Sequence, residues 1–280
     1  MSYESSTGRT MLAKGLFDFV VSISAEPVQL VGYDVEKPDL IGEFEQVKFN
    51  ADEIFADFPK IDNLKCKFCG ACISYCDCGA LQLDRNIPSM VISPEKCEAC
   101  GECINGCSIH GIGRKEKLTG YILHGRKGMH SITVGKADES HEFQVPLVCA
   151  LNQRINTGSL AICDLSPGIS GYVLTALRDA TLAILVINPS RGWLRNIQFL
   201  LGALKERSIP FGLVINKYKG EASFLEEVER FSKIKKVPVF GVISHRDFKD
   251  NEKYMPLNEA DLENESIFAT IWEKVVSSWL

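Results

Sequence analysis

Apolar residues along this chain fall into two rhythms. Residues 11–20 (MLAKGLFDFV) space their apolar side chains at helical offsets and predict a helix. Residues 28–33 (VQLVGY), 159–164 (SLAICD), 182–187 (LAILVI), 211–215 (FGLVI) and 238–243 (PVFGVI) are short apolar runs without polar alternation. That is the pattern of strands covered by helices on both faces. A Pro-Gly turn and a helix over about 170–179, an amphipathic helix at 194–207 and another helix at 222–235 separate the later strands. The succession predicts an α/β fold with a doubly wound, mostly parallel sheet.

A cysteine-rich block interrupts this rhythm, with strand 28–33 before it and strand 159–164 after it. The outer pieces, 1–60 and 113–280, are therefore expected to build one discontinuous domain. A small α+β module, 61–112, is expected to be inserted through a surface loop. Residues 120–147 read as a short β segment that returns the chain to the sheet. Near the end, Ile267, Phe268, Ile271, Trp272, Val275, Val276 and Trp279 make one helical stripe. Its polar side offers only Lys274 beside Glu273, too little basic charge for a membrane surface, so it reads as a helix closing the core.

A length of 280 residues accommodates one large domain and a small one. The apolar fraction of 45% and the charged fraction of 24% are those of a soluble globular protein. A net charge of −5, with no block of lysine and arginine, argues against nucleic-acid binding. No uncharged apolar run approaches the ~18 residues a membrane span needs.

Eight of the eleven cysteines form two runs of the form C-x-x-C-x-x-C-x-x-x-C. These are Cys66, Cys69, Cys72 and Cys76, then Cys97, Cys100, Cys103 and Cys107. Disulfide frameworks belong to short secreted chains with a leader, and three-residue spacing in a tight loop is poor bridge geometry. Structural zinc takes paired C-x-x-C knuckles and has no use for the third and fourth cysteines. Iron–sulfur clusters require this spacing, and they and unpaired thiols suit a reducing cytoplasm.

Residues 61–112 resemble a bacterial-type ferredoxin. In two-cluster ferredoxins the fourth cysteine of each run serves the other cluster. The resemblance thus implies one 4Fe–4S cluster on Cys66, Cys69, Cys72 and Cys107, and a second on Cys97, Cys100, Cys103 and Cys76. Asp77 and Ser108 stand where that family has proline after each run. Proline stiffens the turn but is not a ligand. Asp77 sets a carboxylate near a cluster, which disfavours adding an electron. Cys78 has no place in the ligand pattern and reads as a packed thiol, with a substitute ligand as the alternative.

The outer pieces resemble the MinD/ParA branch of P-loop ATPases, in particular members with an inserted two-cluster ferredoxin. The matching stretches are Asp34-Val35-Glu36-Lys37-Pro38-Asp39-Leu40, Asp164-Leu165-Ser166-Pro167-Gly168-Ile169, Asn188-Pro189-Ser190 and Val214-Ile215-Asn216-Lys217. The resemblance implies a first switch at Asp34, a Mg²⁺-supporting carboxylate at Asp164, a γ-phosphate approach at Gly168 and adenine reading by Asn216. ATP or ADP with Mg²⁺ would be the ligand. The phosphate loop, Tyr3-Glu4-Ser5-Ser6-Thr7-Gly8-Arg9-Thr10, departs from the family's G-K-G-G-x-G-K-T. Thr7, Gly8 and Thr10 keep the turn and the Mg²⁺-facing hydroxyl; Arg9 replaces the phosphate lysine, and the two are not interchangeable. Ser5 and Ser6 crowd the loop, and Glu4 reverses the charge of the lysine that reaches across a dimer. Gly32 stands at the earlier acidic position of the first switch. The strand that feeds the loop in the family is missing, which implies either an upstream start or a sheet edge lost at the phosphate site.

His110, His124, His130, His141 and His245 are scattered singly. Cys149 and Cys163 lie far from any C-x-x-C pair and read as buried structural thiols, against an iron–sulfur scaffold role. The reading is electron transfer to a redox partner protein, with nucleotide acting on docking through the switches. The competing readings are an ATPase with structural or sensory clusters, and a regulatory subunit paired with an intact paralogue. Two copies of Glu4 facing two nucleotides would repel, so an ATP-sandwiched homodimer is not expected.

Overall fold

The structure is a computed structural model that describes residues 1–2, 7–84, 86, 88–139, 144–190, 192–244 and 262–278. In chain order the elements are α1 (Arg9–Ile23), β1 (Val28–Tyr33), β2 (Asn50–Ile61), β3 (Leu81–Asp84), β4 (Ser89–Ile92) and α2 (Glu102–Asn105). Then come β5 (Ile112–Lys127), β6 (His130–Ala137), α3 (Gln144–Asn152), β7 (Leu160–Leu165), α4 (Gly171–Ala176) and β8 (Ala183–Ile187). The last are α5 (Trp193–Glu206), β9 (Phe211–Tyr218), α6 (Ala222–Lys235), β10 (Val239–Ser244) and α7 (Leu262–Ser277). The chain divides into two compact units, one of Met1–Leu30, Ser159–Ile169 and Leu177–Leu280, the other of Val31–Gly158 and Ser170–Ala176. Strand β1 contributes residues to both.

In the first unit β8, β9 and β10 form a parallel sheet in the order β10-β9-β8. Their continuous apolar runs are buried as expected: Leu185, Leu213, Val214 and Ile215 expose nothing measurable. Leu12 and Leu16 of α1, Phe240 of β10, and Ile271 and Val275 of α7 meet Val186 and Val214 in one core. The terminal stripe thus faces inward, while Glu273 and Lys274 are exposed; Trp279 lies outside the described residues. A Cβ on Gly15 would sit 2.2 Å from the Phe268 ring, so glycine is what lets α7 approach α1. The first residues of the chain bond to this sheet and to the loop after β7. The Met1 amine donates to the Ile184 carbonyl and the Met1 carbonyl accepts from the Val186 N–H, each at 2.7 Å. The Ser2 carbonyl accepts from the Gly168 N–H at 3.0 Å.

The second unit is built on an antiparallel ladder. Strand β2 pairs with β5 from Asn50↔His124 to Ile61↔Ile112, and β5 pairs with β6 from Gly120↔Ala137 to Lys127↔His130. Helix α3 packs on β5 and β6. Ile122, Ile132, Leu147 and Leu151 are fully buried there. Strand β2 and the first half of β5 have no counterpart in the sequence-based elements. Half of β2 is exposed, and its acidic Asp52, Glu53 and Asp57 leave no apolar rhythm to read. These strands add antiparallel pairing to the parallel pattern of β8–β9–β10. Residues 62–111 hang from the Ile61↔Ile112 end of the ladder, which the Asp62 N–H continues by donating to the Gly111 carbonyl at 2.9 Å. They hold the small antiparallel pair β3–β4 and the single turn α2.

The register shifts between Ile54 and Phe55, opposite Gly120 and Leu118, leaving Thr119 bulged. Gly120 there adopts φ 151°, and a Cβ on it would lie 2.3 Å from the Lys136 carbonyl oxygen. Gly120→Ala is expected to destabilise the protein by about 2 kcal/mol, the scale of a forced backbone shift in a packed site. The checking measurement is the urea midpoint at unchanged slope.

Candidate functional site

The two cysteine runs have one local build, repeated. Each begins with a C-x-x-C loop whose residue before the second cysteine is left-handed, Phe68 at φ 51° and Ala99 at φ 54°. Each continues through a left-handed glycine, Gly70 at φ 76° and Gly101 at φ 81°, into one helical turn that delivers Cys72 or Cys103. Each ends in a third left-handed residue, Gly79 at φ 64° and His110 at φ 52°. The fourth cysteines then accept the backbone N–H four residues on: Cys76 from Ala80 and Cys107 from Gly111, both at 3.2 Å. Alternation of right- and left-handed residues turns successive N–H groups toward one concavity, the geometry that receives anionic sulfur or phosphate.

None of the eleven cysteines is in a disulfide. Burial raises the Cys72 thiol above its ordinary range, with Cys107, Cys66 and Cys69 near enough to add to the shift. Burial pushes Cys103 up to about 12, with Cys97, Cys76 and Cys100 the first neighbours to add. Cys97 is pushed up to about 11 by burial, opposed by the Ala99 N–H and reinforced by Cys78, Cys76 and Cys100. Cys107 is thus among the thiols near Cys72, and Cys76 among those near Cys97 and Cys103, with Cys72 itself close enough to Cys103 to add to its shift. Cys72 and Cys103 are buried with Leu81 and Ile112, and Cys97 with Phe58 and Ala80. Cys69 and Cys100 are exposed. A space of about 320 Å³, open in part to solvent, is lined by Cys76, Cys78, Cys97, Cys100 and Cys103. Among the described residues no three His, Cys, Asp or Glu side chains converge as ligands of a single metal ion. A cluster does not ask for such a point, because each thiolate takes its own iron.

The phosphate-loop residues gather in the first unit. The Thr10 hydroxyl donates to the Asp164 carboxylate at 2.7 Å. Arg9 is buried, and its guanidinium donates to the Leu165 carbonyl. Asn216 donates through Nδ2 to the Thr7 carbonyl at 2.7 Å and accepts the Lys217 N–H at 2.9 Å. Gly8, at φ 85°, caps α1; any Cβ there would lie 2.2 Å from Asn216 Nδ2. The buried Thr7 hydroxyl has no hydrogen-bond partner. Gly168 is left-handed, φ 85°. The two groups expected to face nucleotide, Arg9 and Asn216, therefore bond to protein carbonyls.

Asp34 belongs to the second unit, where its Oδ1 accepts the Lys37 N–H at 3.4 Å. Tyr3, Glu4, Ser5 and Ser6, like His141 and His245, lie outside the described residues. Asp77 is exposed. His124 pairs with Asp52 on the surface at 3.8 Å. Cys149 and Cys163 are half-buried rather than buried. Sequence reasoning missed the Asn216–Thr7 link, the sulfur-directed N–H groups of Ala80 and Gly111, and the place of Cys78 in the cavity. Only the last left a trace, the short Cys76-x-Cys78 spacing.

No family model matches the chain, and no curated protein matches it in sequence. Solved structures do. A plasmid partition protein of Borrelia burgdorferi B31 bound to AMPPNP is 12% identical, with a TM-score of 0.54 over 98% of this chain and 95% of that one. The MinD cell division protein of Aquifex aeolicus is 15% identical, with a TM-score of 0.54 over 98% and 94%. The septum site-determining protein MinD of Pyrococcus horikoshii OT3, complexed with Mg-ADP, is 14% identical, with a TM-score of 0.51 over 98% and 93%. At these identities the likeness is one of fold: the chain has the α/β fold of MinD/ParA P-loop ATPases. Among the described residues no helix is long and apolar enough to cross a membrane.

Burial pushes the Cys163 thiol up from 9.0 to about 12, with Asp164 adding to the shift. The folded chain keeps this proton where the unfolded chain loses it. The associated stability is therefore fully present below pH 9 and is lost as pH rises toward 12. Cys163→Ala is expected to shallow the decline in urea midpoint between about pH 9 and 11.

Proposed function

We propose that this chain is an iron–sulfur electron-transfer protein, carrying two 4Fe–4S clusters on a MinD/ParA-type scaffold. Residues 1–60 and 113–280 are the scaffold and 61–112 the ferredoxin-type module. The observation that supports it best is the repeated build of the two cysteine runs. Each run offers three closely spaced thiols, and its fourth would serve the other group. The residues fit the clusters. One set is Cys66, Cys69, Cys72 and Cys107; the other is Cys97, Cys100, Cys103 and Cys76. Bound clusters would supply carriage of single low-potential electrons.

The chain's own residues set the conditions. Leu81, Ile112 and Phe58 exclude water from the inner thiols, and the N–H groups of Ala80 and Gly111 spread negative charge off sulfur. Both effects tune potential. Asp77 acts against reduction. Exposed Cys69 and Cys100 put an edge of each thiol group at the surface, where a redox partner protein would dock. These thiols suit a reducing cytoplasm.

On the scaffold side, the Thr10–Asp164 hydrogen bond keeps the Mg²⁺-facing pair of a P-loop, which favours a second reading as an ATPase with structural or sensory clusters. Against hydrolysis stand Arg9, which spends its guanidinium on Leu165, and Asn216, held on Thr7. ATP or ADP with Mg²⁺, where bound, would involve Thr7, Gly8, Thr10, Asp164 and Gly168. With Glu4 at the dimer-crossing position, association with an intact paralogue is favoured over an ATP-sandwiched homodimer.

Anaerobically purified protein should carry about eight irons and about eight acid-labile sulfides per chain. Cys69→Ala with Cys100→Ala should strip most of that iron, and a zinc-only protein would refute the assignment. Titrating ATP into the same sample separates the two readings: turnover lost on Thr10→Val and on Asp164→Asn would move the assignment to the ATPase.

A further inference from the structure

The cavity of the second thiol group has five cysteines around it where a cluster needs four. Cys78 is the extra one, and its place is not incidental. Its sulfur lies 3.7 Å from that of Cys76. Glu98, between Cys97 and Cys100, lines the same cavity, so Cys78 shares it with the loop that carries two of the other ligands. Ala80, two residues beyond Cys78, donates its N–H to Cys76 at 3.2 Å.

The internal repeat provides the control. Each residue of the first run has a counterpart in the second: Cys76 matches Cys107, and Ala80 matches Gly111. Counting on by the same offset, Cys78 matches Ile109. An apolar side chain therefore fills this position in one half of the module and a thiol fills it in the other. The first thiol group has no such spare.

We infer that Cys78 is an alternate ligand of the second cluster, able to take the corner held by Cys76. This rests on the iron–sulfur reading. In the exchange the Fe–S bond to Cys76 breaks and an Fe–S bond to Cys78 forms. The proton of the Cys78 thiol passes to the released Cys76 thiolate, and the oxidation state of the cluster is unchanged. With the two sulfurs already adjacent, the swap needs a side-chain rotation rather than a rearrangement of the loop.

The test compares iron content and the electron paramagnetic resonance of the reduced full-length protein. Cys76→Ala should retain about as much iron as the unaltered chain, with an altered signal from one cluster only. Cys76→Ala combined with Cys78→Ala should lose about half of the iron, as should Cys107→Ala alone. If Cys76→Ala by itself loses as much iron as Cys107→Ala, the inference is wrong. Cys78→Ala, which leaves all four primary thiols in place, guards against misfolding as the explanation. It should hasten iron release to a chelator severalfold from one of the two clusters, and an unchanged release rate would also overturn the inference. Failure of the iron–sulfur reading itself looks different, because the unaltered chain would then hold no iron.

Discussion

The pairing of Ile61 with Ile112 is the constraint on which the cysteine module depends. It closes the β2–β5 ladder and brings the two ends of the module to adjacent points, so 62–111 need not be held from both sides by the rest of the chain. Within the module the backbone does the organising. Phe68, Ala99 and His110 occupy the left-handed region without being glycine. Such conformations cost about 1–3 kcal/mol each and persist where the surroundings over-determine them. Placed at repeated positions, they aim N–H groups at sulfur. The build is that of a concavity whose N–H groups suit anionic sulfur.

The phosphate loop presents the opposite case. Several of its groups are engaged from within: Arg9 donates to the Leu165 carbonyl, Asn216 to the Thr7 carbonyl and Thr10 to Asp164. A loop used this way acts as a structural knot between α1, β7 and β9. A ligand would have to replace bonds already made, several of them buried, and each such bond is worth about 1 kcal/mol net. The same residues that resemble a P-loop thus tie this corner together.

Legibility in the sequence followed the strength of the local constraint. The cysteine runs stand out because their offsets repeat within a few residues of one another. Strands β8, β9 and β10 could be read because burial on both faces leaves an unbroken apolar run, as in Ala183–Ile187. Strand β2 could not, since an exposed strand carrying Asp52, Glu53 and Asp57 looks like a polar loop. The use of Arg9 was hidden for another reason. Its partner is a backbone carbonyl far along the chain, and a carbonyl is the same in every residue. Asn216 could be placed by its neighbours in the motif, but its bond to Thr7 belongs to three-dimensional closure alone.

Strand β1 neighbours β7 in one sheet, although the whole of β2 to α3 lies between them in the chain. In equilibrium this costs little, since each doubling of a closed loop adds only about 0.6 kcal/mol. In time it costs more, because pairings between distant segments are the slow steps of folding. The cysteine module makes its contacts locally and emerges from the ribosome well before β7. It can therefore be built, and its thiols engaged, while β1 still waits for its neighbour. The order of synthesis places the module first and the sheet that carries it last.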